Sequence, residues 1–177
     1  ESNSYNQLTL HRDYNVDNAT TLANLITQLG ELNEDIIFPV HPRTRKMIES
    51  KGIQTHPLIQ LLKPLGFIDY NALQMNSFAV LSDSGTISEE SSILNFRALN
   101  IRDAHERPEA MEEASVMMVG MNSERIIQGI IQLESQMIGE ERNFRKVADY
   151  SMPNVSDKMV RIIISYVDYI NRVVWNK

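Results

Sequence analysis

Short apolar runs alternate with helix-spaced stretches along most of this chain, and that alternation constrains its fold more than any other feature. Residues 7–10, 35–40, 78–82, 98–101 and 116–119 read as buried strands. Between them, Leu22, Leu25, Ile26 and Leu29 fall on one helical face, with Asp17 or Asn18 as cap and Gly30 as stop. Pro42 fits the first turn of a helix through Glu49 that Gly52 ends. Residues 57–62 read as a further short helix and 64–67 as a turn, after which Asp69 can cap a helix to about Met75. A helix is expected from about Ile87 to Leu94, a short one from Pro108, and one capped by Asn122 or Ser123 that carries Ile126, Ile127, Ile130 and Leu133. Strand and helix in strict alternation imply an α/β fold, a parallel sheet with helices on both faces.

The remainder of the chain differs in kind. Residues 1–138 hold the alternating pattern, and 139–154, with Gly139, Arg142, Arg145 and Pro153, read as an irregular linker. Residues 155–177 read as a long amphipathic helix capped near Ser156, with Met159, Ile162, Ile163, Tyr166, Val167, Ile170, Val173 and Val174 on a broad apolar face. Such a helix is expected to pack on a partner domain. The chain begins at Glu1 rather than Met, with a strand-like run soon after, and is read as a piece of a longer protein.

Composition removes several function classes. A net charge of −6 without a basic stripe argues against binding a nucleic-acid backbone. With no cysteine there is no disulfide, thiolate metal site or cysteine nucleophile. No spacing of His and carboxylates suggests a metal, and no cofactor is expected. The polar first residues and the lack of a long uncharged apolar run give neither a signal peptide nor a membrane span, so a cytoplasmic protein is expected.

The chemistry concentrates where Phe78-Ala79-Val80-Leu81 meets Ser82-Asp83-Ser84-Gly85-Thr86. A strand that runs through small polar residues into a helix aims unpaired N–H groups at the space above its end, which suits a phosphate. Ser84, Gly85 and Thr86 can serve a diphosphate, although an ordinary serine-capped turn has the same composition. Glu90, a turn or so into that helix, can accept from a ribose diol or simply face solvent. Arg107, before Pro108, can bind phosphate bidentately or pair with Glu106 or Glu109. His11 follows the first strand and can donate to a phosphate or move a proton, or be structural. Arg12 and His41 follow strands on the same rim, Tyr70 can stack on a base or fill a core, and Arg102 reads as structural.

Taken together, these segments resemble the non-hydrolysing UDP-N-acetylglucosamine 2-epimerases over most of residues 8–135. The resemblance rests on Thr9-Leu10-His11-Arg12, Asn15-Val16-Asp17-Asn18, Phe38-Pro39-Val40-His41-Pro42-Arg43-Thr44, Pro64-Leu65-Gly66, the serine–glycine turn with Glu89-Glu90, and Arg102 with Glu106-Arg107-Pro108-Glu109-Ala110. Ala104-His105-Glu106 and the segment from Pro153 to Trp175 are closer to a branch acting on 6-deoxy sugars, on the route to UDP-N-acetyl-L-fucosamine in bacterial capsule or O-antigen synthesis. The resemblance implies the C-terminal, UDP-binding, Rossmann-like half of a glycosyltransferase-B fold. It implies a terminal helix that crosses to an N-terminal domain, and a homodimer of the whole protein.

The resemblance further implies that Tyr70 stacks on uracil and that the Leu65 backbone meets the base edge. Ser84, Gly85 and Thr86 would hold the diphosphate and Glu90 the ribose, with Arg107 and His11 at the phosphates or cleft. Thr86 stands where many relatives have a second glycine, and Arg97 where proline is common. Epimerisation would proceed by elimination of UDP across C1 and C2, with the base supplied by the other domain. A UDP-sugar glycosyltransferase, a hydrolysing epimerase and a non-catalytic nucleotide-binding module remain alternatives.

Overall fold

The strand-forming runs pair in the order β3-β2-β1-β4-β5-β6, every neighbour parallel. They are β1 (Asn6–Thr9), β2 (Ile36–Pro39), β3 (Ile59–Leu62), β4 (Val80–Ser82), β5 (Ala98–Asn100) and β6 (Met117–Met118). The helices between and after them are α1 (Asp13–Val16), α2 (Ala19–Gly30), α3 (Pro42–Lys51), α4 (Phe67–Asn76), α5 (Ile87–Leu94), α6 (Pro108–Glu112) and α7 (Ser123–Leu133). This computed structural model describes residues 4–104 and 106–177; His105, expected before Arg107, lies outside them, as do the side chains of Asp13 and Tyr14. The chain forms two compact units, the first ending at Val147 and the second spanning Ala148–Lys177.

Strand order dictates where the helices go. From β1 the chain steps outward to β2 and β3, then returns to the other side of β1 for β4, β5 and β6. Right-handed crossovers therefore put α2 and α3 on one face of the sheet and α4, α5 and α6 on the other. The reversal also leaves a crevice above the carboxyl ends of β1 and β4, where open parallel sheets bind ligands.

The two faces differ chemically. Side chains alternate along a strand, and register matches Leu8 with Leu81 and Leu81 with Leu99. That row joins the buried residues of α2 and α7, among them Leu22, Leu25, Ile126 and Ile130, in one apolar core. Gly129 lets α7 approach, because a Cβ there would lie 2.9 Å from a methyl of Leu99. On the opposite face the matched row is Thr9, Ser82 and Asn100, all buried, with Gln7 fully buried beside Val80.

Local signals end most helices as expected. The Asn18 side chain accepts from the Thr20 and Thr21 N–H groups, and Gly52 closes α3 at φ 61°. Asn122 caps α7 by accepting from the Arg125 N–H. Three expectations need correction. Residues 57–62 are not a helix; Ile59–Leu62 is the edge strand β3, because β2 offers it a full parallel ladder. A run of this length and composition suits either state until pairing decides. Asp69 lies in the first turn of α4 rather than at its cap, which is Gly66 in an extended conformation. The long final helix is capped by Asn154, in the left-handed region at φ 55°, not by Ser156.

Residues 139–147, expected as linker, are bonded onto α5. The Asn95 amide donates to the carbonyls of Gly139 and Glu141, and Arg142 donates to those of Ser92 and Ile93. The Arg142 bonds satisfy carbonyls in the last turn of a helix whose other end carries the serine–glycine turn, and the Asn95 bonds hold the following segment against it. Arg97, at the start of β5, lies 4.7 Å from the centre of the Phe78 ring and donates to the carbonyls of Glu134 and Gln136. In the second unit, a turn of 3-10 helix at Ala148–Tyr150 precedes α8 (Val155–Val173). None of its side chains is buried within this chain. No described helix is long and apolar enough to cross a membrane.

One side chain ties the crevice together. Asp83, fully buried just past β4, accepts from the His11 N–H at 2.8 Å, the Arg12 N–H at 3.1 Å and the Asn15 amide at 2.8 Å. Its own N–H donates to the Thr9 carbonyl at 3.2 Å. Replacing it with Ala strands three donors, at roughly 1–3 kcal/mol for each group left unsatisfied. We expect Asp83→Ala to lower unfolding free energy by about 3 kcal/mol or more in urea denaturation followed by circular dichroism. A loss below about 1 kcal/mol would show that the tie does not carry the fold.

Candidate functional site

The turn after β4 is built from short polar side chains that bond to their own backbone. The Ser84 N–H donates to the Ser82 hydroxyl at 3.0 Å, and the Thr86 N–H donates to the Ser84 hydroxyl at 3.3 Å. The Ser84 and Thr86 hydroxyls lie 3.0 Å apart. Helix α5 begins at Ile87 and its first turn faces the crevice, since Ser84 and Thr86 line the cleft above β1 and β4.

That cleft has a volume of about 290 Å³ and is lined by His11, Pro39, His41, Pro64, Leu65, Tyr70, Ser84, Thr86 and Glu90. Small-molecule sites run from roughly 300 to 1,000 Å³. Of the ten residues singled out from sequence, seven share this one cleft: His11, His41, Leu65, Tyr70, Ser84, Thr86 and Glu90. Gly85 and Arg107 meet in an adjoining crevice with Arg102 and Glu106, and Arg12 reaches the same carboxylate.

Each of these side chains is held in a particular way. The Tyr70 phenol bonds the Thr9 hydroxyl at 2.8 Å, which fixes the ring against the end of β1. Burial raises its pKa above the ordinary tyrosine value, so the phenol is neutral at physiological pH. Leu65 lies before Gly66, the cap of α4, on the chain that brings Tyr70 in. The Glu90 carboxylate accepts from the Gln74 amide at 2.7 Å. His11 is exposed and its backbone is fixed by Asp83, while His41 caps α3 by accepting from the Arg43 N–H through Nδ1.

The guanidinium groups at the rim form a separate network. Arg107 pairs through Nε with Glu89 at 2.9 Å and lies 4.0 Å from Glu106, so α5 holds it through the residue next to Glu90. A Cβ on Gly85 would sit 2.2 Å from the Arg107 Nη1, so glycine is what lets this arginine reach the helix start. Glu106 accepts from Arg12 at 2.6 Å and Arg102 at 3.2 Å. The Arg12 hydrogen bond is the larger reason, and that of Arg102 the next, that its carboxyl titrates below the usual range. Arg102 is buried, in keeping with its structural reading.

Sequence reasoning missed Asp83, Gln74 and Thr9. Tyr70 and Gln74 are one helical turn apart on α4, a spacing that could have flagged the pair. Asp83 lies within the serine–glycine turn, but the sequence assigns it no role, because the groups that donate to it lie at another strand end. Among the described residues no group of three or more His, Asp or Glu side chains is placed to hold a metal ion.

Residues 1–164 match the family model described as UDP-N-acetylglucosamine 2-epimerase. The chain is 42% identical to the UDP-N-acetylglucosamine 2-epimerase of Rickettsia bellii, whose structure superposes with a TM-score of 0.79 over 100% of this chain and 48% of that one. A Methanocaldococcus jannaschii UDP-GlcNAc 2-epimerase, solved in complex with UDP-GlcNAc and UDP, is 30% identical with a TM-score of 0.78, over 93% of this chain and 46% of that one. A curated relative, the UDP-N-acetylglucosamine 2-epimerase of that organism, is 32% identical over 90% of this chain and 44% of its own length. The chain thus spans less than half of the relatives it matches. The six-stranded parallel order and the motifs at its carboxyl ends agree with these matches: the chain belongs to the UDP-N-acetylglucosamine 2-epimerase family.

Proposed function

We propose that this chain is the UDP-binding part of a UDP-N-acetylglucosamine 2-epimerase, an isomerase that inverts C2 of a UDP-N-acetylhexosamine. The observation that carries the reading is the single cleft at the switch point, in which an aromatic ring, a helix N-terminus and a carboxylate meet. Tyr70 offers a neutral face for uracil and the Leu65 backbone the base edge. Ser84, Gly85 and Thr86 present hydroxyls and N–H groups to the diphosphate, and Glu90 accepts from the ribose diol. Arg107 stands beside Gly85, where charge on a departing diphosphate would grow. His11, exposed at the end of β1, is suited to donate a hydrogen bond or a proton there, with Arg12 and His41 as further cleft contacts.

The chemistry in this reading is elimination followed by addition. A base removes the C2 proton as the C1–oxygen bond to UDP breaks, a glycal-like intermediate forms, and UDP adds back after reprotonation from the other face. This part holds the leaving group, and the base belongs to an N-terminal domain. Residues 1–138 would then form the nucleotide domain, with 139–154 leading to the terminal helix. The exposed apolar side chains of α8, such as Ile163 and Tyr166, suit packing on that second domain. The whole enzyme would be a cytoplasmic homodimer, serving capsule or O-antigen synthesis, with the UDP-N-acetyl-L-fucosamine route as the branch.

Two outcomes test the reading. The isolated chain should bind UDP weakly and leave UDP-GlcNAc and its 6-deoxy relatives unepimerised, as followed by proton NMR at C2; turnover by these residues alone would sink the division of labour. In titration calorimetry, Glu90→Ala should weaken UDP about tenfold, the loss of one charged hydrogen bond of roughly 1.5 kcal/mol, and leave inorganic pyrophosphate unchanged. Equal losses for both ligands would remove its ribose role.

A further inference from the structure

Helix α4 buries only one side chain fully, and that side chain is Gln74. A helix lying on a sheet ordinarily puts an aliphatic residue at its most buried position. Here the position carries an amide with no solvent exposure, on the polar face of the sheet where Thr9 and Gln7 are also buried. Gln74 Nε2 donates to Glu90 Oε2 at 2.7 Å, while Gln74 Oε1 has no hydrogen-bond partner among the described residues. The amide cannot be turned over, since its oxygen would then face the carboxylate with no proton between them. Among the described residues the side-chain amide spends its one hydrogen bond on Glu90, so packing alone does not account for a glutamine here. Tyr70, one turn earlier on the same helix, is fixed by Thr9 in the same manner.

We infer that Gln74 is a positioning residue for nucleotide selectivity: by holding one oxygen of Glu90 from behind, it leaves the other aimed into the cleft for a vicinal diol. A free glutamate has several rotamers, and a carboxylate tethered by one oxygen has few, so a diol meets a prepared acceptor. The inference rests on the proposed ribose role of Glu90. Gln74 does not touch the ligand itself, and its effect is confined to the part of the ligand that Glu90 contacts. It therefore predicts discrimination between ribose and a sugar lacking both hydroxyls, which a residue that merely fills space would not produce.

The test uses the full-length protein and two probes, UDP and 2′,3′-dideoxy-UDP, in titration calorimetry. Gln74→Met keeps the length and removes the donor; Gln74→Asn keeps the amide and withdraws it from reach. Both should weaken UDP five- to tenfold and leave 2′,3′-dideoxy-UDP within twofold of the parent. Adding Gln74→Met to Glu90→Gln should cost nothing beyond Glu90→Gln alone. Equal losses for both probes, unchanged UDP affinity, or additive effects would overturn the inference while Glu90→Gln still showed a diol-selective loss. If Glu90→Gln binds both probes as the parent does, the ribose reading itself fails. Failure of both Gln74 variants to fold, with Glu90→Gln intact, would assign Gln74 to the core and also overturn the inference.

Discussion

The site depends on one buried carboxylate. Asp83 sits just past β4, beside β1, where the direction of strand progression reverses. Two backbone N–H groups of the chain leaving β1 donate to its carboxylate, and a buried N–H without an acceptor is costly. By accepting both, and the Asn15 amide as well, Asp83 sets the path of residues 11–15 and the start of the serine turn together. The Arg12 Nε also donates to the Asp83 carbonyl at 3.3 Å. His11 on one side and Ser84 on the other are thereby fixed in one frame. A ligand-binding crevice needs such a frame, because its walls come from segments far apart in sequence.

The difference between the two faces follows from the same division of labour. The face under α2 and α7 is an apolar core and supplies the main stabilisation. The face under α4 and α5 buries Gln7, Thr9, Ser82 and Asn100, and α5 adds Ser88, Ser91 and Ser92. Buried polar atoms favour folding only when partnered, and Asn100 Oδ1 has no partner among the described residues. A core selected for stability alone would place Val or Leu there. The polar lining is therefore a cost borne on the face beneath the candidate cleft, and offset on the other.

Much of this was legible in the sequence, for identifiable reasons. Helix α5 was expected from about Ile87 to Leu94 and spans those residues, because a glycine-bearing turn and an asparagine bound it. The parallel sheet followed from alternation, since short strands separated by helices can scarcely close any other way. The edge strand β3 is not legible in the same way, because Ile59-Gln60-Leu61-Leu62 has no local feature against a helix and its state is set by β2. At the candidate site, the residues that line the cleft carry chemistry in their names, whereas those that hold them, Asp83, Gln74 and Thr9, are recognisable only by their partners. Sequence reads the exposed half of a hydrogen bond more readily than the buried half.

The rim shows why charge alone cannot define specificity here. Three guanidinium groups gather near the helix start, yet Arg107 is paired with Glu89 while Arg12 and Arg102 share Glu106. Solvent reaches both partners of the Arg12–Glu106 pair and screens it, so such rim pairs contribute little stability of their own. Their effect is geometric: each carboxylate holds an arginine in place before any ligand arrives, so less side-chain freedom remains to be lost on binding. With the cations partly neutralised and the chain as a whole at −6, attraction of any anion is weak at long range. In the proposed reading, selection then comes from short-range donors whose positions are set by the backbone, the hydroxyls and N–H groups of the Ser84–Thr86 turn, and from the acceptor at Glu90. The adjacent carboxylates Glu89 and Glu90 illustrate the point, since one orients a cation and the other is held by an amide, and only their different partners separate them.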